Sequence, residues 1–202
     1  LVALSEKAQA TREKIIAAAT ELFYRNGYHA TGLDKVIRQA GVTKGNFYYH
    51  FPSKEALAIA TLDWQYERWS EEIREQVFSQ RIDALETLLN LLDYMADRQK
   101  KQHEEGQIRG CYFGNFALEL STVSPAVRDK VNAVFSSYAA LIEALLRHAR
   151  KKGQIRESVD PGQLASVILG QVEGAILLDK ARHQPGNFDQ SIKFIRQYLE
   201  TD

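Results

Sequence analysis

Apolar positions recur every three or four residues along almost the whole chain, and no stretch shows the period of two that marks a half-buried strand. Ile15, Ala19, Leu22 and Phe23 set this spacing in a first segment, about Ala8 to Asn26, which Asn26-Gly27 closes. Leu33, Val36, Ile37 and Ala40 share one face of a second, short segment, and Gly41 permits a sharp turn after it. Thr43 is suited to cap a third, Lys44 to His50, which stops before Pro52 because the residue preceding a proline avoids helical angles. Ser53 caps a long fourth segment reaching about Gln80, roughly 40 Å of helix at 1.5 Å per residue. Further helices are expected at about Ile82 to Lys101, Cys111 to Leu120, Pro125 to Lys152, Pro161 to His183 and Phe188 to Glu200. Ser124-Pro125 and Asp160-Pro161 are cap-plus-proline pairs of the kind that start helices. The pattern predicts an all-α protein.

The third segment, "TKGNFYYHF" from Thr43 to Phe51, is dense in rings and yet polar. On a helical wheel Phe47 and Phe51 share a face, four residues apart. Gly45 and Tyr49 fall nearly opposite, with Lys44 and Tyr48 on one flank and Asn46 and His50 on the other. The two phenylalanines are thus expected to anchor the segment on Ile15, Leu22, Val36 and Ile37, leaving the rest outside. Three short helices with a glycine turn before the third fit a helix-turn-helix. The outward set suits DNA: Lys44 for a guanine edge or a phosphate, Gly45 for close backbone approach, tyrosine hydroxyls and Lys54 for the flanking backbone. The alternative is that both tyrosines are partly buried packing residues.

Composition bounds this reading without deciding it. Hydrophobic residues make up 45% and charged residues 26% of the 202, enough for a sizeable core. Basic and acidic side chains balance at 26 each. Their distribution is uneven, with a surplus of three basic groups up to Glu55 and an equal acidic surplus beyond it. No run of about 18 apolar residues is present, so no membrane span is expected. The opening "LVALSEK" is too short for a signal-peptide core. The one cysteine, Cys111, cannot form an internal disulfide, which points to a reducing compartment. The five histidines include no pair four residues apart, so neither a metal site nor a cofactor is expected.

The stretch "TELFYRNGYHATGLDKVIRQAGVTKGNFYYHFPSKEALAIA" resembles the N-terminal domain of TetR-family transcriptional repressors. The glycine after the first helix, the run "AGVTKGNFYYHF" and the following "SKEAL" carry the likeness. The resemblance implies a DNA-binding domain over 1–52 and an all-helical ligand-binding and dimerisation domain over 53–202. It also implies a cytoplasmic homodimer on palindromic double-stranded operator DNA, released by a small-molecule inducer, and not an enzyme. Carried over by position, the DNA contacts would be Thr43, Lys44, Gly45, Asn46, Tyr48, Tyr49, His50 and Lys54.

For the remainder, aromatic residues suggest an inducer pocket: Trp64, Trp69, Tyr94, Tyr112, Phe113, Phe116 and Tyr138 are the candidates, any of which is also suited to plain core. A ligand favouring a tilted fourth helix would shift the population of reading states. Ala165, Ile168, Leu169, Val172, Ala175 and Ile176 form one apolar stripe and Phe188, Ile192, Ile195 and Leu199 another. With Gly170 and Gly174 allowing close approach, these stripes are expected to hold the dimer, unless they cover the subunit's own core. Cys111 lies in "RGCYFGNFALEL" at an expected helix start beside Arg109, a setting that favours a thiolate. The segment "GCYFGNFALELSTVSPAVR" is similar to an electrophile-responsive branch of the family, and Lys180 is similar to a lysine of that branch. The resemblance implies an electrophile or redox sensor built on Cys111 and Lys180, against the plainer readings of a buried thiol and a solvated amine. A helical enzyme or adaptor using Cys111 is the competing function.

Overall fold

A computed structural model describes residues 5–80 and 82–199 of the chain. The expected end of the last helix at Glu200, and the start of the "LVALSEK" opening, lie outside the described residues. Among the described residues there are nine helices and no strand: α1 Glu6–Asn26, α2 Leu33–Ala40, α3 Lys44–His50, α4 Lys54–Gln76, α5 Ala84–Glu104, α6 Tyr112–Leu120, α7 Pro125–Lys151, α8 Pro161–Arg182 and α9 Asn187–Leu199. The second and third match their expected bounds, and α4 stops one turn short of Gln80. Side-chain caps explain most starts. Thr43 accepts from the Asn46 amide, Ser53 from Ala56, Asp83 from Glu86 and Asp160 from Gln163.

The described residues form two compact units. One comprises the chain up to Trp69 together with Tyr112–Val131, and the other Ser70–Cys111 together with the chain from Asn132 onward. The first unit therefore contains more than the three N-terminal helices: it takes in the first part of α4, all of α6 and the start of α7. Its core holds Ile15, Phe23, Val36, Phe47 and Leu57, each 1% exposed or less. Gly41, at φ 65°, closes α2 in the left-handed conformation and lets α3 follow after two residues.

In the second unit α8 packs on α9, and α5 packs on α9. Asp179, near the end of α8, is buried with its carboxylate satisfied. It accepts from the Asn187 backbone and side-chain amides, at 2.9 and 2.6 Å, and from Phe188 N–H at 3.4 Å. The pair of helices is thereby fastened where α9 begins, and buried charge at a helix N-terminus is well placed. The apolar stripes expected to form a dimer interface are spent differently. Ala165, Ile168, Val172, Ala175 and Ile176 of α8 and Phe188, Ile192, Ile195 and Leu199 of α9 are all buried, and Leu169 packs against the same core. They cover the subunit's own interior, joining Leu88 and Leu92 of α5 and Leu146 of α7.

The opposite face of α8 is uncharged from Gln163 to Ala181: Gln163, Ser166, Val167, Gly170, Leu177, Leu178 and Ala181 are exposed, at spacings of three, one and seven that keep them on one side. On α9, Phe194 and Tyr198 are exposed and stacked, ring centroids 6.4 Å apart. α8 is long and apolar enough by composition to cross a membrane, although its buried face packs in the second unit's core.

Candidate nucleic-acid interface

Helix α3 is too short to stand alone and is held by its two phenylalanines. Phe47 is fully buried and Phe51 nearly so, 6.0 Å apart between centroids. The remaining side chains fall where the wheel expects them. Thr43, Lys44, Gly45 and Asn46 are exposed, Tyr48 and Tyr49 are 47% and 70% exposed, and His50 is half-buried. Tyr49 is thus not a packing residue, whereas Tyr48, edge-on to the Phe47 ring, both packs and faces outward. A Cβ on Gly45 would meet only the Thr43 hydroxyl, at 3.9 Å, so the start of α3 is open to a backbone-close partner.

Arg12, on α1, is a residue that sequence reasoning missed. Its guanidinium lies 5.2 Å over the Phe51 ring. Partial burial, and then the Arg12 charge, hold the His50 imidazole below its ordinary value, so His50 is neutral at pH 7. The signal was present only as one more cation in a helix with a mixed charge pattern. Lys54 is placed unlike the other candidates. Its ammonium is turned inward, donating to the Tyr28 carbonyl at 2.6 Å and lying 4.0 Å over the Tyr28 ring. Burial lowers its pKa, and the Glu119 charge opposes that shift.

The seven aromatic candidates for an inducer site are divided between the units. In the first, Tyr112 and Phe116 belong to an aromatic cluster with Tyr24, Phe23 and Tyr28, at centroid distances of 5.1 to 6.0 Å. Phe113 is likewise buried, beside Tyr112. The Tyr112 hydroxyl sits near Thr20 and Thr61 without closing a hydrogen bond of ordinary geometry, and burial pushes its pKa up. Trp64 and Trp69 are half-buried, with Arg68 4.6 Å over the Trp64 ring. In the second unit Tyr94 is half-buried and donates to Glu72 at 2.6 Å, a carboxylate that Arg98 also holds. Tyr138 is half-buried.

Cys111 is half-buried against the second unit's core and directly precedes α6. The neighbour the sequence did not reveal is Glu173 of α8, whose carboxyl group takes a hydrogen bond from the thiol. Burial raises the Glu173 pKa, and the thiol hydrogen bond partly offsets this. Lys180 lies on the same face of α8 as Glu173 but two turns further on, about 10 Å along the axis. Among the described residues no group of three histidine, cysteine or carboxylate side chains is arranged to hold a metal ion.

A buried two-phenylalanine anchor under an open, polar α3, after a tight glycine turn, defines a DNA-reading head of the helix-turn-helix type. Comparison with known proteins agrees. Residues 15–61 match the model of bacterial regulatory proteins of the tetR family, and residues 84–195 match a tetracyclin repressor-like C-terminal domain. The chain belongs to the TetR family of bacterial transcriptional regulators. The transcriptional repressor DhaR of Mycobacterium sp. strain GP1 is 26% identical over 188 residues, covering 93% of this chain and 91% of DhaR. A TetR regulator from Chloroflexus aurantiacus superposes with a TM-score of 0.85 at 28% identity, covering 96% of each chain. The reduced form of Escherichia coli NemR superposes at 0.83 with 24% identity, covering 96% of this chain and all of NemR, and so shares the fold. Under its name NemR is a transcriptional repressor.

Proposed function

We propose that the chain is a dimeric, cytoplasmic transcriptional repressor that reads a palindromic operator with α3 and leaves it when an inducer binds the helical body. The observation that carries the reading is the geometry of α3: a helix anchored by Phe47 and Phe51 that exposes Lys44, Asn46, Tyr48 and Tyr49 together. Lys44 offers a base or phosphate contact at the helix start, and the tyrosine hydroxyls offer phosphate contacts. Thr43, Gly45 and His50 complete the surface, while Lys54, turned inward onto Tyr28, would have to swing out to reach a phosphate. The partner for dimerisation is a second copy on the exposed faces of α8 and α9, where Val167, Leu177, Leu178, Phe194 and Tyr198 are exposed. Repressors among the relatives, DhaR and NemR, support the sign of regulation.

The test is operator binding by a duplex selected from a random-sequence pool. Lys44→Ala should weaken binding by about 1–3 kcal/mol and lower the salt slope by about one. Tyr49→Phe should weaken it less, with circular dichroism of both variants unchanged. Wild-type affinity in both variants would remove α3 as the reading helix.

A second reading concerns the inducer. The half-buried Cys111 thiol, hydrogen-bonded to Glu173, supports electrophile sensing. A quinone would add to the sulfur while the thiol proton passes through the Glu173 carboxylate to the quinone oxygen. Cys111→Ser should keep operator binding and lose release by quinones. Equal release in both proteins would leave reversible ligand binding, with Lys180 a plain surface amine.

A further inference from the structure

The α1–α2 turn, Gly27 to His29, is held from two sides by residues that belong to neither helix. Glu119, in the last turn of α6, accepts the Tyr28 amide at 3.0 Å on one carboxylate oxygen and the His29 amide at 2.8 Å on the other. The His29 ring nitrogen lies 3.3 Å from the Glu119 backbone oxygen. From the other side Lys54, in the first turn of α4, donates to the Tyr28 carbonyl. The Tyr28 ring is packed between Phe23 and Phe116, at 5.3 and 6.0 Å. Gly27 is shaped to this contact twice over. Its φ is +85°, and a Cβ there would come within 2.9 Å of the Glu119 carboxylate. Both amides of the turn thus point at one anion, and such charge-assisted bonds are about twice as strong as neutral ones.

We infer that Glu119 is a positioning residue for operator binding: it clamps the turn from which α2 and α3 depart and so fixes the angle at which α3 is presented. Inside the turn the Thr31 hydroxyl adds a bond to the Gly27 carbonyl at 2.7 Å, whereas α2, starting after Gly32, has no side-chain cap of its own. The Glu119 charge also favours the Lys54 ammonium, the group that holds the turn from the other side.

The sign of the effect separates positioning from plain electrostatics. Glu119→Gln removes a negative charge from a DNA-binding head, and charge alone would then tighten binding, most at low salt. The clamp requires the opposite: about tenfold weaker binding of the selected operator duplex, equivalent to about 1.4 kcal/mol, with melting temperature and dimer unchanged. Equal or tighter binding by Glu119→Gln overturns the inference. If that variant does not fold, Glu119→Asp, one methylene too short to reach both amides, takes its place under the same criterion. A DNA-independent measurement stands beside it, because the inference rests on the operator-binding reading. Amide hydrogen exchange should show Tyr28 and His29 protected in wild type and fast in the variant. Free exchange at these amides in wild type would sink the clamp even if operator binding behaves as expected.

Discussion

Helices α3 and α8 obey the same rule and yield to it differently. In α3 one face is apolar and the other polar, so Phe47 and Phe51 declare the buried side and everything left over is chemistry. In α8 both faces carry apolar residues. Ile168, Val172, Ala175 and Ile176 are buried, whereas Val167, Gly170, Leu177 and Leu178 are exposed. A periodic stripe tells which side of a helix leaves water; it does not tell what covers it. The strongest stripe in α8 therefore marks the subunit's own core, and the other face stays exposed.

The largest expected effect tests the α3 side of this contrast. Phe47→Ala should destabilise the first unit by about 3–5 kcal/mol, because a fully buried ring is lost and a cavity remains. Thermal unfolding checks it; a loss under 1 kcal/mol would mean that α3 is not anchored as described. The α8 side is tested at Gly170, where an added Cβ meets nothing within 4 Å. Gly170→Leu should leave the subunit folded, gaining up to about 1 kcal/mol of helix propensity. It should nonetheless obstruct a second copy and shift sedimentation to monomer. An intact dimer would place the interface on another surface.

The smallest effect sharpens the reading face itself. His50 has its pKa lowered by burial and by Arg12, so the free protein carries it neutral at pH 7. Operator phosphates favour the imidazolium, so binding takes up a proton and affinity should rise as pH falls from 7.5 to 6, by about threefold. His50→Gln should lose this increment, measured at constant ionic strength. Stability moves the other way: the folded state holds this proton less tightly than the unfolded chain, so its contribution is lost as pH drops below the ordinary value of 6.5. A pH slope identical in both proteins would remove His50 from the interface.

The sequence by itself determined the helices and which face of α3 is exposed. Caps such as Thr43, Ser53 and Asp160, the glycine stop at Gly41 and the four-residue step from Phe47 to Phe51 are local signals, and local signals act through the backbone of their own turn. The resemblance to TetR-family repressors rested on the same stretch, and the family matches confirm it. Only tertiary structure decided the rest. That Arg12 stands over Phe51, that Lys54 turns onto Tyr28, that Glu173 meets Cys111 and that Glu119 reaches the Gly27–His29 turn are contacts between residues from 26 to 91 positions apart. The expected setting of Cys111 shows why this matters. Its neighbours in sequence include Arg109, which suggested a thiolate, but the fold also brings a carboxyl from α8, Glu173, to the sulfur. Sequence proximity fixes covalent neighbours, whereas the field at a side chain is set by whatever the fold brings within a few ångströms, and Coulomb interactions fall with distance in space, not along the chain.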